Sequence, residues 1–338
     1  MDTTPNITGT VFDRMNLSDD ACFLCGTSIL GDKTREHVFP RWLQNRHGLW
    51  DQEITLLNGT SIRYAQLTIP CCASCNNVHL SVMENRVRTA VEGGYVNAAS
   101  LSPLTMYQWM AKIFYGILRK ELTLSLDRRD ADAGTIVPEE LLQNFSTLHL
   151  FLQSIRQPFL FPDGQPFSVL TVNLHYFDGQ DDFHFGDNLN LMTAALRTKD
   201  VGFIVAFQDA GILDQSYGRY VRDLAGRKVT PIQFAELFAK SVYQVSLFTR
   251  TPKFVTATDD NPSVPTKVYM LPIGGLSSKP VVERWVQSDY FEVLSAIMRR
   301  TDPTLDQAGW FSPPNHVITW MTDESGTLKL WECTHCCG

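Results

Sequence analysis

The chain starts MDTTPNITGTVFDRMNLSDD, with no positively charged segment leading an apolar one, which excludes an ordinary secretory signal. Long hydrophobic runs are lacking as well. A stretch such as Val201 to Phe207, with its Gly202, is far too short to cross a bilayer. Charge is sparse, at 19% of residues, and this low share argues against a largely disordered chain. Basic residues are the scarcer sign: 29 Lys and Arg against 36 Asp and Glu leave a net charge of −7. No cysteine falls in the long middle; five lie before residue 76 and three at the extreme C-terminus. A disulfide framework would staple the whole chain, so the cysteines point to metal in a reducing compartment. A phosphate-binding glycine loop, a Gly-x-Ser-x-Gly elbow, internal repeats and low-complexity tracts are all missing. The expectation is a soluble cytoplasmic protein with no membrane partner.

What is present is a chain of 338 residues, 44% of them apolar, enough for two cores. Residues 1–20 read as an arm, 21–100 as a compact module dense in Cys, His, Asn and turns, and 101–338 as a larger α+β domain. Within the module, Ile54 to Leu57 and Thr60 to Ile69 flank Asn58-Gly59, the signal of a β-hairpin. Val78, Val82, Met83, Val87 and Val91 fall at helical spacing, and Gly93-Gly94 stops that helix. Further on, Ser102-Pro103 opens a helix through Lys120, and Pro138 to Ile155 is a second. FSVLTVNLHYF, FHFGDNLNLMTAAL and VGFIVAF read as strands, followed by helices over Pro231–Thr249 and Asp289–Arg300. The strand-like pieces KVYMLPI, HVITWM and TLKLWEC complete the pattern.

Cys22-Phe-Leu-Cys25 and Cys72-Ala-Ser-Cys75 have the spacing of two halves of a four-cysteine zinc site: two thiolates from a tight turn, two from the first turn of a helix. Cys71 is an alternative to Cys72, but the two-residue gap of Cys72–Cys75 mirrors the first pair. Four thiolates leave no open position for water or substrate, so this Zn2+ is structural. The 46 residues between the pairs leave room for a functional insert.

That insert holds Arg35-Glu36-His37-Val38-Phe39-Pro40, and Asn76-Asn77-Val78-His79 directly follows the last cysteine. The order Cys-x-x-Cys, acid-His-x-x-Pro, Cys-x-x-Cys-Asn resembles the HNH (ββα-metal) endonucleases, in particular those with a four-cysteine zinc site. The resemblance covers Cys22 to about Glu84, a fifth of the chain. It implies a zinc-stapled, treble-clef-like ββα-metal finger that cuts phosphodiester bonds, leaving a 5′-phosphate and a 3′-hydroxyl. It also implies roles: His37 as general base, with Glu36 and Asn76 holding a catalytic Mg2+ or Mn2+. The chemistry fits these residue types. Histidine has the pKa to take a proton from water near neutral pH, and a hard cation wants carboxylate and amide oxygens. His79, three residues after Asn76 on the same helical face, is either a third ligand or a phosphate contact. Arg35 and Arg41 are candidate substrate-binding groups.

The sequence also departs from the family pattern. Glu36 stands where Asp is usual. The middle Asn of HNH has no counterpart in Tyr64-Ala-Gln-Leu-Thr-Ile-Pro, where Gln66 is the only amide; Gln66 or Asn58 is left to orient His37. Up to Ser100 there are eight Lys/Arg and ten Asp/Glu, so intrinsic affinity for DNA is expected to be modest. Residues 101–338 would then recognise substrate, ligand, a second copy or an activating partner. By analogy such a fusion suits anti-phage defence. The rival reading is a non-catalytic zinc module that binds nucleic acid or a protein. Elsewhere, His175, Asp178, Asp181, Asp182, His184 and Asp187 read as a solvated acidic loop, and Cys333-Thr-His335-Cys336-Cys337 as a thiol-rich tail.

Overall fold

The computed structural model describes residues 17–31, 33–122, 124–127, 130–135, 139–177, 182–224, 227–250, 252–259, 261, 263–272, 280–305, 310–312, 316–322 and 329. Over these residues the protein is mixed α+β. The order begins β1 (Lys33–His37), α1 (Arg41–Arg46), β2 (Glu53–Thr55), β3 (Ser61–Arg63) and β4 (Thr68–Cys72). A π-helical turn at Cys75–Leu80 then leads into α2 (Ser81–Glu92). Next come α3 (Tyr95–Ala99), α4 (Pro103–Glu121), β5 (Ser125–Asp127), β6 (Asp130–Thr135), α5 (Glu139–Leu152) and β7 (Phe159–Leu160). Strands β8 (Ser168–Asn173), β9 (Phe183–Asn188), β10 (Thr193–Thr198) and β11 (Val201–Ala206) precede α6 (Arg219–Asp223) and α7 (Pro231–Ser246). The order closes with β12 (Phe254–Ala257), β13 (Thr266–Met270), α8 (Gln287–Thr301), β14 (Phe311–Ser312) and β15 (His316–Val317). No helix among the described residues is long and apolar enough to cross a membrane.

The chain packs as two compact units. The first takes residues 1–92, 101–165 and 253–271; the second takes 93–100, 166–252 and 272–338. The division read from sequence near residue 100 is therefore not where the packing divides. Helices α4 and α5 fold with the cysteine-bearing segment, and a late β-hairpin returns to it.

In the first unit β1 and β4 pair antiparallel, with Glu36 opposite Ile69 and His37 opposite Thr68. Strands β2 and β3 form the expected hairpin around Gly59, but a shorter one than Thr60 to Ile69 suggested. Tyr64–Gln66 coil into a 3-10 turn, and the residues beyond them swing away to pair with β1. The helix after the second cysteine pair also differs from a simple 3.6-residue repeat. Its first turn is π-helical, and that extra residue shifts the register. Met83, Val87 and Val91 face the core, whereas Val78 and Val82 are turned to solvent at 58% and 57% exposure.

Helix α4 is the spine of this unit. Ser102 caps it by accepting the Thr105 N–H at 3.1 Å, and Pro103 supplies the preset first turn. From Met106 to Leu118 it is buried on nearly every side apart from Gln108, as expected of a helix that is apolar all round. Gly116 is where the segment following β1 comes closest: a Cβ there would lie 2.8 Å from Val38 Cγ2. Helix α5 packs beside α4, and the sheet β12–β13–β7 brings Phe254 onto Phe151 with ring centroids 5.1 Å apart.

The second unit is built on one antiparallel sheet in the order β8–β11–β10–β9. FHFGDNLNLMTAAL, expected as one strand, is two. Asn188 Oδ1 accepts the Leu191 N–H at 3.0 Å and Met192 takes a positive φ, which turns the chain between β9 and β10. Helix α7 starts with a full capping box between Thr230 and Gln233. Its buried Glu236 accepts the Thr319 hydroxyl at 2.5 Å and the Trp320 N–H at 2.6 Å, tying in the segment after β15. His184, Asp187 and Arg300 line a cavity of about 180 Å3 in this unit, walled by Phe238 and Val242 of α7 and Val293 and Ile297 of α8. Asp178, Asp181, the Cys333–Cys337 tail and most of the N-terminal arm lie outside the described residues.

The close approach at Gly116 gives the first test. Gly116→Leu forces a side chain into Val38, and overpacking of this kind costs about 1–3 kcal/mol. Urea denaturation is expected to show that loss with an unchanged slope.

Candidate functional site

The cysteine centre is assembled by a turn, a strand end and a helix start. Residues 22–27 fold tightly: Cys22 N–H donates to Thr27 O at 2.9 Å and Gly26 N–H to Cys22 O at 2.8 Å. The Phe23 N–H donates to Pro70 O at 2.9 Å, which locks this turn onto β4. Helix α5 and the 3-10 turn that ends it grip the other side. His149 Nε2 bonds Phe23 O at 3.0 Å, and Gln153 Nε2 donates to Leu24 O at 2.6 Å. Burial pushes the His149 pKa down to about 4, which keeps the imidazole neutral and able to donate that bond.

Cys72 closes β4, and Cys75 opens the π-helical turn with its N–H 3.4 Å from Cys72 Sγ. The sulfurs of Cys22, Cys25, Cys72 and Cys75 all lie within 4.8 Å of one another, with Cys25 and Cys72 at 3.8 Å. Thiolates about 2.3 Å from a tetrahedral zinc stand about 3.8 Å apart, so the donor set and its spacing are compatible with a structural zinc ion. Among the described residues this is the one cluster of three or more His, Cys, Asp or Glu ligand atoms. Cys71 is not part of the tetrad. Successive residues of a strand face opposite ways, and Cys71 is fully buried, 3.9 Å from Cys22 Sγ. Hydrogen bonds from Cys71 and Cys75 pull the Cys22 thiol far below its ordinary range, while those same contacts and burial push Cys71 and Cys75 up.

Strand alternation also separates the last two residues of β1. Glu36 is turned inward and is 7% exposed, whereas His37 is half-buried on the opposite face. The His37 imidazole lies beside the Trp50 indole, with ring centroids 5.7 Å apart. Burial, aided by the positive charges of Arg41 and Lys112 and opposed by Glu36, lowers the His37 pKa from its ordinary value. Its neutral form, the form that accepts a proton, is thereby favoured. Arg35 is exposed and binds across to β4, donating from Nε to Thr68 Oγ1 at 2.8 Å. Arg41 is exposed in the first turn of α1.

Glu36 meets a residue that the sequence did not single out. Lys112, in the middle of α4, is fully buried, and its Nζ lies 2.5 Å from Glu36 Oε1 and 2.8 Å from Glu84 Oε1. The same ammonium donates to the backbone carbonyl of His37 at 2.5 Å and to that of Val38 at 3.2 Å. Burial alone would lower the Lys112 pKa, but the two carboxylates outweigh it and the net shift is upward, so the ammonium stays charged. Glu36, expected to bind a catalytic cation, thus has one oxygen engaged by an internal one. Asn76 donates to Thr34 Oγ1 at 3.2 Å, and Thr34 in turn donates to Cys71 O at 2.7 Å. His79 is half-buried in the π-helical turn. No hydrogen bond joins Glu36, Asn76 and His79 to one another among the described residues. Neither candidate for the missing amide reaches His37: Gln66 is turned to solvent, and Asn58 Oδ1 accepts the Thr60 N–H inside the hairpin turn. Lys112 is what holds the backbone of His37. A lone lysine in the middle of an apolar helix was the available signal, and it sits 75 residues from its partner, beyond the reach of motif spacing.

Two outcomes follow from this geometry. Metal analysis of purified protein is expected to give one zinc per chain, lost in Cys72→Ser and retained in Cys71→Ser. Lys112→Met leaves two carboxylates buried without their cation and is expected to cost about 3–5 kcal/mol. Adding Glu36→Gln and Glu84→Gln should recover part of that loss in the same denaturation assay.

Comparison of the chain with protein-family models, curated proteins and solved structures returns no match, so a functional reading rests on the geometry of this site.

Proposed function

We propose that the protein is an HNH-type endonuclease that hydrolyses phosphodiester bonds of nucleic acid, DNA in the first instance, with His37 as general base. The observation that carries this reading is the state of His37. It is half-buried, biased to its neutral form, and fixed at its backbone by Lys112 on a strand that runs between the two cysteine pairs. An imidazole so held takes the proton of a water attacking phosphorus. Arg35 and Arg41 are the exposed guanidinium groups in β1 and at the start of α1, suited to holding the phosphate. The order of turn, paired strands and helix around the four cysteines agrees with a treble-clef-like finger stapled by zinc.

A hard divalent cation such as Mg2+ or Mn2+ would neutralise phosphate charge and stabilise the leaving oxygen. The oxygens available to it on this chain are Glu36 Oε2 and Asn76 Oδ1. Lys112 engages Glu36 through Oε1 and Asn76 donates to Thr34 through Nδ2, and oxygen is the donor such an ion prefers. His79 is the adjacent nitrogen donor. Residues 101–338 supply α4 and α5 to the module and leave the second unit for recognition, assembly or activation.

One observation favours the rival reading, a non-catalytic zinc module: the Lys112 ammonium already neutralises Glu36. Nicking of supercoiled plasmid separates the two. The full chain with Mg2+ or Mn2+ is expected to nick, EDTA to abolish nicking, and His37→Ala to lower the rate by about 10²–10⁴-fold with zinc content and circular dichroism unchanged. Nicking that persists in His37→Ala would overturn the assignment of the base. Absence of nicking in a zinc-loaded, folded protein would favour the binding module.

A further inference from the structure

Helix α1 ends in a way that delivers an aromatic ring to His37. Its C-cap N–H, from His47, donates to Leu43 O, and Gly48 adopts a φ of +61° that ends the helix. Leu49 then buries itself at 4% exposure, with its N–H on Gln44 O at 2.9 Å. With Leu49 anchored inward, the next residue, Trp50, is directed outward and is 40% exposed. The indole nonetheless lies 5.7 Å from the His37 imidazole, centroid to centroid, at a tilt of 33°. Part of a large flat π-surface is thus open to solvent directly beside a half-buried histidine, the disposition of tryptophan at contact surfaces, where the ring is covered by a partner.

The charge distribution bears on what this ring could meet. Duplex nucleic acid hides its base faces and is held chiefly through its phosphates. That mode needs a basic surface, and the chain carries a net charge of −7. An unpaired base, by contrast, offers a π-face to any aromatic ring regardless of sequence, and stacking contributes about 1–3 kcal/mol per base. Arg35, on the strand of His37, and Arg41, at the start of α1, are both exposed and enough to hold one or two phosphates next to such a base.

We infer that Trp50 is the stacking platform for an unpaired nucleobase next to the phosphate facing His37, so that the site takes single-stranded or locally opened nucleic acid in preference to duplex. This inference rests on the nuclease reading for the meaning of His37, but base stacking on Trp50 can be measured without any cleavage. The test is fluorescence anisotropy of the zinc-loaded full chain, without added Mg2+ or Mn2+, with labelled oligo(dT), oligo(rU) and a duplex, each of about twelve nucleotides per strand. Single strands are expected to bind more tightly than the duplex. Trp50→Ala should weaken single-strand binding by about 5- to 150-fold, corresponding to the loss of one stacked base. Trp50→Phe should retain most of the affinity, and Trp50→Leu, apolar but unable to stack, should behave like Trp50→Ala. The ratio of oligo(dT) to oligo(rU) affinity identifies which nucleic acid the site favours.

Equal binding of duplex and single strand would overturn the inference. So would a Trp50→Ala variant that binds like the parent, or a Trp50→Leu variant that binds like Trp50→Phe. Loss of single-strand affinity in Trp50→Ala without nicking by the parent protein would leave the stacking site standing and remove the nuclease. Nicking with no effect of Trp50→Ala on binding would do the reverse.

Discussion

The arrangement around β1 depends on one buried ammonium. Lys112 carries a full positive charge into the interior of α4, and such a charge is tolerated only where it is paired and its donors are satisfied. Here Glu36, Glu84 and the carbonyls of His37 and Val38 surround it. Because those partners come from β1, the segment after it and α2, the lysine fixes three pieces of backbone to one helix. The close contact of Gly116 with Val38 one turn further along is the steric counterpart of the same attachment. A helix that lies beyond both cysteine pairs in the sequence is therefore an integral part of the module that carries His37.

The cysteine centre is held by the same unit in a second way. His149 and Gln153, at the end of α5 and just beyond it, satisfy the Phe23 and Leu24 carbonyls, which so tight a turn leaves pointing away from its own backbone. The turn is also tied to β4 through Pro70. The four sulfurs therefore come together on a scaffold braced on both sides, and β1, paired to β4 along its length, inherits that rigidity. His37 stands at the end of this paired strand, so the orientation of its imidazole follows from the cysteine centre, the Lys112 contacts and the neighbouring Trp50 together.

Parts of this were legible in the sequence. The two Cys-x-x-Cys pairs, the Asn-Gly hairpin, the Ser102-Pro103 helix start and the amphipathic helices all follow from short-range rules, and their elements are found in place. Other parts were not. The π-helical turn after Cys75 turned Val78 and Val82 outward, because one inserted residue shifts every later position by a fraction of a turn. The turn at Asn188–Met192 divided an apparently continuous strand.

What the sequence by itself determined is the local chemistry: which residues can bind metal, which histidine lies between the cysteine pairs, and where helices begin and end. These are properties of spacing and side-chain type over a few residues. The tertiary structure bore out the choice of Cys72 over Cys71 made from spacing. It alone decided that Glu36 is matched by Lys112, and that Trp50 stands at His37. Those outcomes depend on which face of a strand is buried and on which distant helix arrives to cover it. Packing of the whole unit settles both, since an unpaired buried charge or an uncovered apolar face costs more than any single local preference can supply.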